Sequence, residues 1–258
     1  MAYELQLEAD TGALYRAAAG HFVRRARAAV QARGRFTVAL SGGSTPRALY
    51  SLLALDQTLR LGVPWDKVFF FWGDERHVPP DHAESNYGMA YAQLLSKVPV
   101  PEVNVQRFLG EQPDAELSAQ RYERELQAFF QLSPGQVPRF DLVLLGLGAD
   151  GHTASLFPGT MAVKESQRLV SANWISELRS HRFTLTIPVF NNAACVIFLV
   201  TGADKAPALR SVLEDLPEAA PLPARLIRPQ DGELVWLVDR AAAGLLRAAA
   251  TITVRDMS

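Results

Sequence analysis

Short apolar runs of strand length alternate along this chain with longer segments in which apolar residues recur every three or four positions. That alternation predicts an α/β fold, a mostly parallel sheet covered by helices on both faces. The runs are 36–40, 68–72, 140–145, 169–172, 183–187, 195–201 and 234–238, and Phe36-Thr37-Val38-Ala39-Leu40 reads as the first strand. Residues 11–33 predict a helix, because Leu14, Ala18, Phe22, Ala26 and Val30 share one face and Gly34 supplies a stop. The arginines of that segment, Arg24, Arg25, Arg27 and Arg33, read as a solvated face. Pro46 suits a first helical turn and residues 47–55 continue it. Residues 113–132 predict another helix, in which Leu117, Arg121, Glu125, Leu126, Phe129 and Phe130 separate into wet and dry faces. Further helices are expected at 205–214 and 240–250. With no internal repeat and no linker, the pattern predicts one domain over residues 1–258, and the proline-rich stretch 217–229 reads as an ordered surface loop.

Composition narrows the partners. The 258 residues are 48% hydrophobic and 21% charged, an ordinary globular balance with enough chain for a substantial core. A net charge of −1 gives no basic footprint for counterion release, so nucleic acid is not expected as a partner. Glu4, Glu8 and Asp10 interrupt the N-terminal region, unlike a secretory signal, and no stretch approaches the ~18 apolar residues of a membrane span. A soluble, cytoplasmic protein with no membrane partner is expected, and the composition is compatible with a monomer or a dimer alike. The single cysteine, Cys195, lies in an apolar run, cannot pair internally and reads as a small buried hydrophobe in a reducing compartment.

Three segments at strand ends carry chemistry. In Ser41-Gly42-Gly43-Ser44-Thr45-Pro46 the glycines expose backbone amides, the hydroxyls add donors and a helix N-terminus follows, which together make a phosphate cradle. The Gly-Lys-Ser/Thr ending of the nucleotide-triphosphate loop is missing, and the plainer alternative is a Ser/Thr cap on an ordinary turn. Trp72-Gly73-Asp74-Glu75-Arg76-His77 reads as a polar loop, in which Arg76 meets an anion and Asp74 orients a hydroxyl or a proton carrier. Asp74, His77, Asp81, His82 and Glu84 crowd together, yet their spacing matches no closed zinc pattern and no metal is expected. The third segment, 146–159, follows the apolar run ending at Leu145 and sets His152 in a glycine-rich turn. Gly146, Gly148 and Gly151 formally satisfy the dinucleotide pattern, but Phe157-Pro158-Gly159 forbids the long helix that pattern needs. The glycines let His152 approach a small substrate closely, beside Asp150, Thr153 and Ser155.

Taken in order, Ser41 to Pro46, Trp72 to Arg76, Gly146 to Gly159 and Arg182-Phe183-Thr184-Leu185-Thr186 resemble the signature blocks of the 6-phosphogluconolactonase family across nearly the whole chain. Gly202-Ala203-Asp204-Lys205-Ala206 and the segment Gly232 to Asp239 add to the similarity. The resemblance implies a Rossmann-like fold shared with glucosamine-6-phosphate deaminases. It also implies hydrolysis of 6-phospho-D-glucono-1,5-lactone in the oxidative pentose phosphate pathway, with no metal or organic cofactor. The deaminases are the nearest alternative. They are similar in the Asp-Gly-His turn but continue with Ile-Ala-Phe-Asn-Glu, where this chain has Thr153-Ala154-Ser155-Leu156-Phe157, and they carry Asp-Glu-Tyr in place of Asp74-Glu75-Arg76. Both departures favour the lactonase. A remote alternative is a sugar-phosphate-sensing regulatory domain, since effector domains of some repressors resemble this fold.

On this reading an imidazole, which titrates near neutral pH, takes a proton from water at His152 as the water attacks the lactone carbonyl. Asp150 or Asp74 orients it, and the sequence leaves both open. A serine nucleophile is disfavoured, because Ser155 lacks a Gly-x-Ser-x-Gly elbow. The phosphate is expected against Ser41, Gly42, Gly43, Ser44 and Thr45, with Arg76 and Arg182 as leading cations and Lys205 behind them.

Overall fold

A computed structural model describes residues 3–214 and 222–247. The chain begins β1 (Glu4–Glu8), α1 (Thr11–Arg33), β2 (Phe36–Leu40), α2 (Ser44–Leu55), α3 (Gln57–Gly62), β3 (Val68–Trp72), β4 (Asp74–Arg76) and α4 (Asn86–Gln93). It continues α5 (Ala115–Phe130), β5 (Leu142–Leu145), β6 (Val170–Ile175), β7 (Ser180–Leu185), α6 (Ile187–Asn191), β8 (Cys195–Val200), α7 (Ala206–Leu213) and β9 (Glu233–Asp239).

Six strands form a wholly parallel sheet in the order β1-β9-β8-β5-β2-β3. Every residue of β2, β5 and β8 is buried, as expected of central parallel strands packed on both faces. Successive residues of a strand point to opposite faces, and β3 shows what lies on each. Phe70 stacks on Trp65, beside Phe22 of α1, whereas Phe71 meets Phe129 and Phe130 of α5. Helices α1 and α5 therefore cover opposite faces, and burying each such phenylalanine contributes about 1.5–3 kcal/mol. The Asp10 carboxylate starts α1 by accepting the Ala13 amide at 2.7 Å, and Gly34 ends it at φ 72°.

A small antiparallel sheet, β4-β7-β6, branches from the end of β3. Gly73 makes the branch: its amide donates to Leu40 O at 2.8 Å while its carbonyl accepts the Leu185 amide at 2.8 Å. Directly paired residues share a face, so Asp74 and Arg76, Thr184 and Arg182, and Ser171 and Asn173 line one polar side of this sheet. Phe183, on the other side, stacks against Phe108.

Several elements differ from the sequence pattern. The first strand is β1, not 36–40. It is an edge strand whose Glu4, Gln6 and Glu8 mask its pairing with β9, and only Leu5 is fully buried. Residues 74–76, expected as a loop, pair with β7. The hairpin of β6 and β7 extends outward through Asn173, Trp174 and Ser180, so β6 outlasts 169–172 and β7 ends before 187. Helix α5 starts at Ala115 because Asp114 caps the amides of Glu116 and Leu117, and Leu117 lies on its wet face. In place of a helix over 240–250, the described part holds a single 3-10 turn, Ala242–Leu245, started by Asp239 accepting the Ala242 amide and left by Leu246 at ψ 138°. The remainder of that segment lies outside the described residues, as do 217–221. The rest of the proline-rich stretch contains a 3-10 turn, Pro223–Leu226.

The chain steps from β2 outward to β3, then crosses back to β5 on the other side of β2. The strand order thus reverses between β2 and β5, and the loops leaving their carboxyl ends diverge. Open α/β sheets bind ligands in that crevice.

Candidate active site

A cavity of about 260 Å³ occupies the crevice, lined from the ends of β2, β5 and β8 and by β4 and the first residue of α4. On the β2 side the loop is clamped by one buried phenol. Ser41 N donates to Tyr50 Oη at 3.1 Å, and that hydroxyl donates to Ser41 O at 2.8 Å. A Cβ at Gly42 would lie 1.8 Å from Asn86 Oδ1, so only glycine lets the loop pass beneath α4. Gly43, at φ 103°, is the N-cap of α2 and offers no side chain to its first turn. The first-turn amides beside the cavity thus have no side-chain acceptor among the described residues, which is the arrangement that attracts an anion. The Ser41 hydroxyl is likewise buried without a partner among the described residues. Thr45 Oγ1 and Thr201 Oγ1, 2.8 Å apart, fasten this loop to the one after β8, which carries Lys205.

On β4, Asp74 is buried, and its Oδ2 accepts the Ser155 hydroxyl at 2.9 Å. Asn86 Nδ2 donates to the Asp74 backbone carbonyl at 2.9 Å and lies 3.4 Å from Oδ1. Arg76 Nη1 donates to Glu84 O at 2.7 Å. Arg182 pairs across the ladder with Arg76. It is 8% exposed, and its Nη1 has no hydrogen-bond partner among the described residues. Burial, and then the like charge of Arg76, hold the Arg182 pKa below the usual arginine range. Two arginines thus face each other across the ladder with no carboxylate at ion-pair distance among the described residues, an arrangement that favours an anion.

After β5 the backbone turns back on itself, with Gly148 N donating to His152 O at 2.8 Å. The imidazole lies between Gly148, whose Cβ would come within 2.1 Å of Nδ1, and the Phe157 ring, stacked at 4.3 Å. Nδ1–H of His152 donates to Asp150 Oδ1 at 2.5 Å. A carboxylate only accepts, so Nδ1 carries the hydrogen, and in the neutral ring the lone pair is then on Nε2. Burial would raise the Asp150 carboxyl, but the amide and ring of His152 hold it below the usual aspartate range. Ala154 sits at φ 48°, a left-handed conformation that costs an alanine about 1–3 kcal/mol. Thr153 Oγ1, donating to Gly146 O at 2.8 Å, and the Ser155 bond to Asp74 hold it there.

The cavity therefore gathers Ser41 to Thr45, Asp74, Arg76, His152 and Lys205. Asp150 meets it through the histidine, and Arg182 stands one strand behind Arg76. The polar residues of 74–84 do not converge: His77 Nε2 approaches Gln112 O at 2.6 Å and His82 Nδ1 accepts the Glu84 amide. Among the described residues no three His, Cys, Asp or Glu side chains could hold a metal ion. Sequence reasoning passed over Asn86 and Thr201. Ser85, a serine that caps α4 by accepting the Gly88 amide, was the available signal for Asn86.

A parallel sheet with a polar, anion-ready crevice at its switch point defines a Rossmann-like α/β protein of the enzyme type. The chain belongs to the glucosamine-6-phosphate isomerase/6-phosphogluconolactonase family, whose model matches residues 9–236. It is 48% identical over 221 residues to a 6-phosphogluconolactonase of Synechocystis sp., covering 85% of this chain and 88% of that protein. To the human 6-phosphogluconolactonase it is 43% identical over 222 residues, covering 83% and 82%. The solved 6-phosphogluconolactonase of Trypanosoma brucei superposes with a TM-score of 0.84 at 35% identity, covering 95% of this chain and 99% of that one. A monomeric glucosamine-6-phosphate deaminase shares the fold, with a TM-score of 0.76 at 21% identity.

Proposed function

We propose that this chain hydrolyses 6-phospho-D-glucono-1,5-lactone to 6-phospho-D-gluconate, the lactone step of the oxidative pentose phosphate pathway. The observation that carries the reading is His152. Its Nδ1 is committed to Asp150, leaving Nε2 as the base in a cavity that also holds uncapped helix amides and cations. Nε2 takes a proton from water as the water oxygen bonds to the lactone carbonyl carbon. The tetrahedral intermediate then collapses, the bond from that carbon to the ring oxygen breaks, and the imidazolium returns the proton to the departing oxygen. General acid–base catalysis of this kind supplies ~10²–10⁴-fold, and oriented donors to the oxyanion supply the rest. The phosphate lies against the first turn of α2, with Arg76 and Lys205 beside it and Arg182 reinforcing Arg76. Asp74, held by Ser155 and Asn86, accepts a sugar hydroxyl or steadies the imidazolium.

The names of the relatives support the lactone over the amino sugar, and so does one side chain. Where the deaminase pattern carries a glutamate, this chain has Phe157, whose ring stacks on His152 and has no proton to exchange. We place the reaction in the cytoplasm. No helix among the described residues is long and apolar enough to cross a membrane. Burial pushes the Cys195 thiol up to about 12, which suits an unreactive core residue in a reducing compartment. The test is to give the purified protein freshly generated 6-phosphogluconolactone, with spontaneous hydrolysis subtracted, and separately glucosamine 6-phosphate with ammonia monitored. Faster lactone opening without ammonia is expected; ammonia without faster opening reverses the assignment.

A further inference from the structure

The residue between Asp74 and Arg76 has no place in the chemistry above, yet it is among the most heavily bonded side chains near the cavity. Glu75 is 2% exposed, and among the described residues no cation lies at ion-pair distance. Four donors converge on its two oxygens. Oε1 accepts the amides of Arg76 and Asn86, each at 2.7 Å, and Oε2 accepts the Tyr87 amide at 2.7 Å and the Ser85 hydroxyl at 3.3 Å. Three of these donors belong to the N-terminal turn of α4, whose positive dipole end favours a carboxylate. The fourth is the backbone of Arg76. The guanidinium of Arg76 in turn donates to Glu84 O, the residue just before the pinned turn.

We propose that Glu75 is the positioning residue for Arg76, fixing it at both ends: the backbone amide directly, and the guanidinium through the anchored turn that presents the Glu84 carbonyl. The same carboxylate sets Asn86, which bonds Asp74 and overlies Gly42. Arg76 cannot be aimed into the cavity by its own bonds alone, because an arginine side chain has many rotamers and this one has a single hydrogen-bond acceptor among the described residues. A glutamine cannot replace Glu75 silently. Both oxygens face donors, so its NH₂ group would meet an N–H or O–H whichever way the amide turned. The inference rests on reading Arg76 as a phosphate contact.

The test is a double-mutant cycle between Glu75→Gln and Arg76→Ala, above pH 7, on 6-phosphogluconolactone and on unphosphorylated gluconolactone. If Glu75 acts through Arg76, Glu75→Gln raises KM for the phosphorylated lactone by about tenfold with kcat changed by less than about threefold. Its effect on the unphosphorylated lactone is smaller, and the double variant is no worse than about twofold below Arg76→Ala alone. A folded Glu75→Gln with unchanged KM, or losses that multiply in full, overturns the role of Glu75. Unchanged KM in Arg76→Ala overturns the phosphate reading instead. Glu75→Asp keeps the charge and carries the same cycle should the glutamine variant not fold. Loss of fold in both, seen by near-ultraviolet circular dichroism, would show a carboxylate that holds the whole structure and would equally overturn the proposal.

Discussion

Asp150 Oδ1 binds His152 twice, taking its Nδ1–H at 2.5 Å and its backbone amide at 3.1 Å. One oxygen thus fixes both the tautomer and the direction of the ring, and in the proposed mechanism its negative charge stabilises the imidazolium. Asp150→Asn keeps the shape and removes the charge. It is expected to lower kcat by at least about tenfold with KM nearly unchanged, as part of the ~10²–10⁴-fold that general acid–base catalysis supplies. Wild-type kcat in a folded variant would remove Asp150 from the mechanism.

The ring of His152 rests on Gly148 with no room for a methyl group, since a Cβ would come within 2.1 Å of Nδ1 and 2.7 Å of Asp150 Oδ1. Gly148→Ala should therefore push the imidazole out of register while sparing the sheet. A displacement near 1 Å costs ~10²-fold in rate, so a fall in kcat of at least tenfold is expected at an unchanged melting temperature. Full activity in this variant would mean that the ring position is not critical.

Legibility followed burial and backbone geometry. Phe36–Leu40 stands out in the sequence because a central parallel strand is apolar on both faces, and Val68–Trp72, though at the sheet edge, because its aromatic rings pack on Trp65 on one face and on α5 on the other. β1 does not, because an edge strand carries Glu4, Gln6 and Glu8. The glycine-rich turns were readable because close approach excludes side chains, as Asn86 against Gly42 and His152 against Gly148 illustrate. The choice between Asp150 and Asp74 was not readable. It depends on a turn that folds Asp150 under the ring and on a β4 pairing that turns Asp74 toward Ser155. Glu75 was invisible as a hub for a similar reason: its partners on α4 lie ten to twelve residues away and meet it only in the fold.

Of the two cross-strand arginines, Arg76 lines the cavity and Arg182 does not. Arg76→Ala should raise KM for the phosphorylated lactone more than Arg182→Met does, with kcat of both close to wild type, because a contact made equally in ground and transition states affects binding alone. Steady-state kinetics of the two variants check the order. A larger KM effect at Arg182 would make it the direct phosphate contact.

Glu75 also links stability to pH. Burial pushes its carboxyl from 4.5 up to about 7, against the amides of Tyr87, Arg76 and Asn86, which favour the ionised form. With the folded value above the unfolded one, the folded chain binds more protons across that interval, and its stability falls as pH rises from about 4.5 to about 7. Glu75→Gln cannot titrate. The melting temperature of the variant minus that of the wild type should therefore climb through this window, and a flat difference would contradict the assignment.

The central claim is that His152 activates water at the lactone, and one comparison tests it most directly. Wild type and His152→Ala, matched by circular dichroism, are given fresh 6-phosphogluconolactone, and net opening is followed after subtraction of the spontaneous rate. The account predicts a kcat at least ~10²-fold lower in the variant, with KM within a few-fold because the anion site is intact. Turnover near wild type in a folded His152→Ala would contradict it.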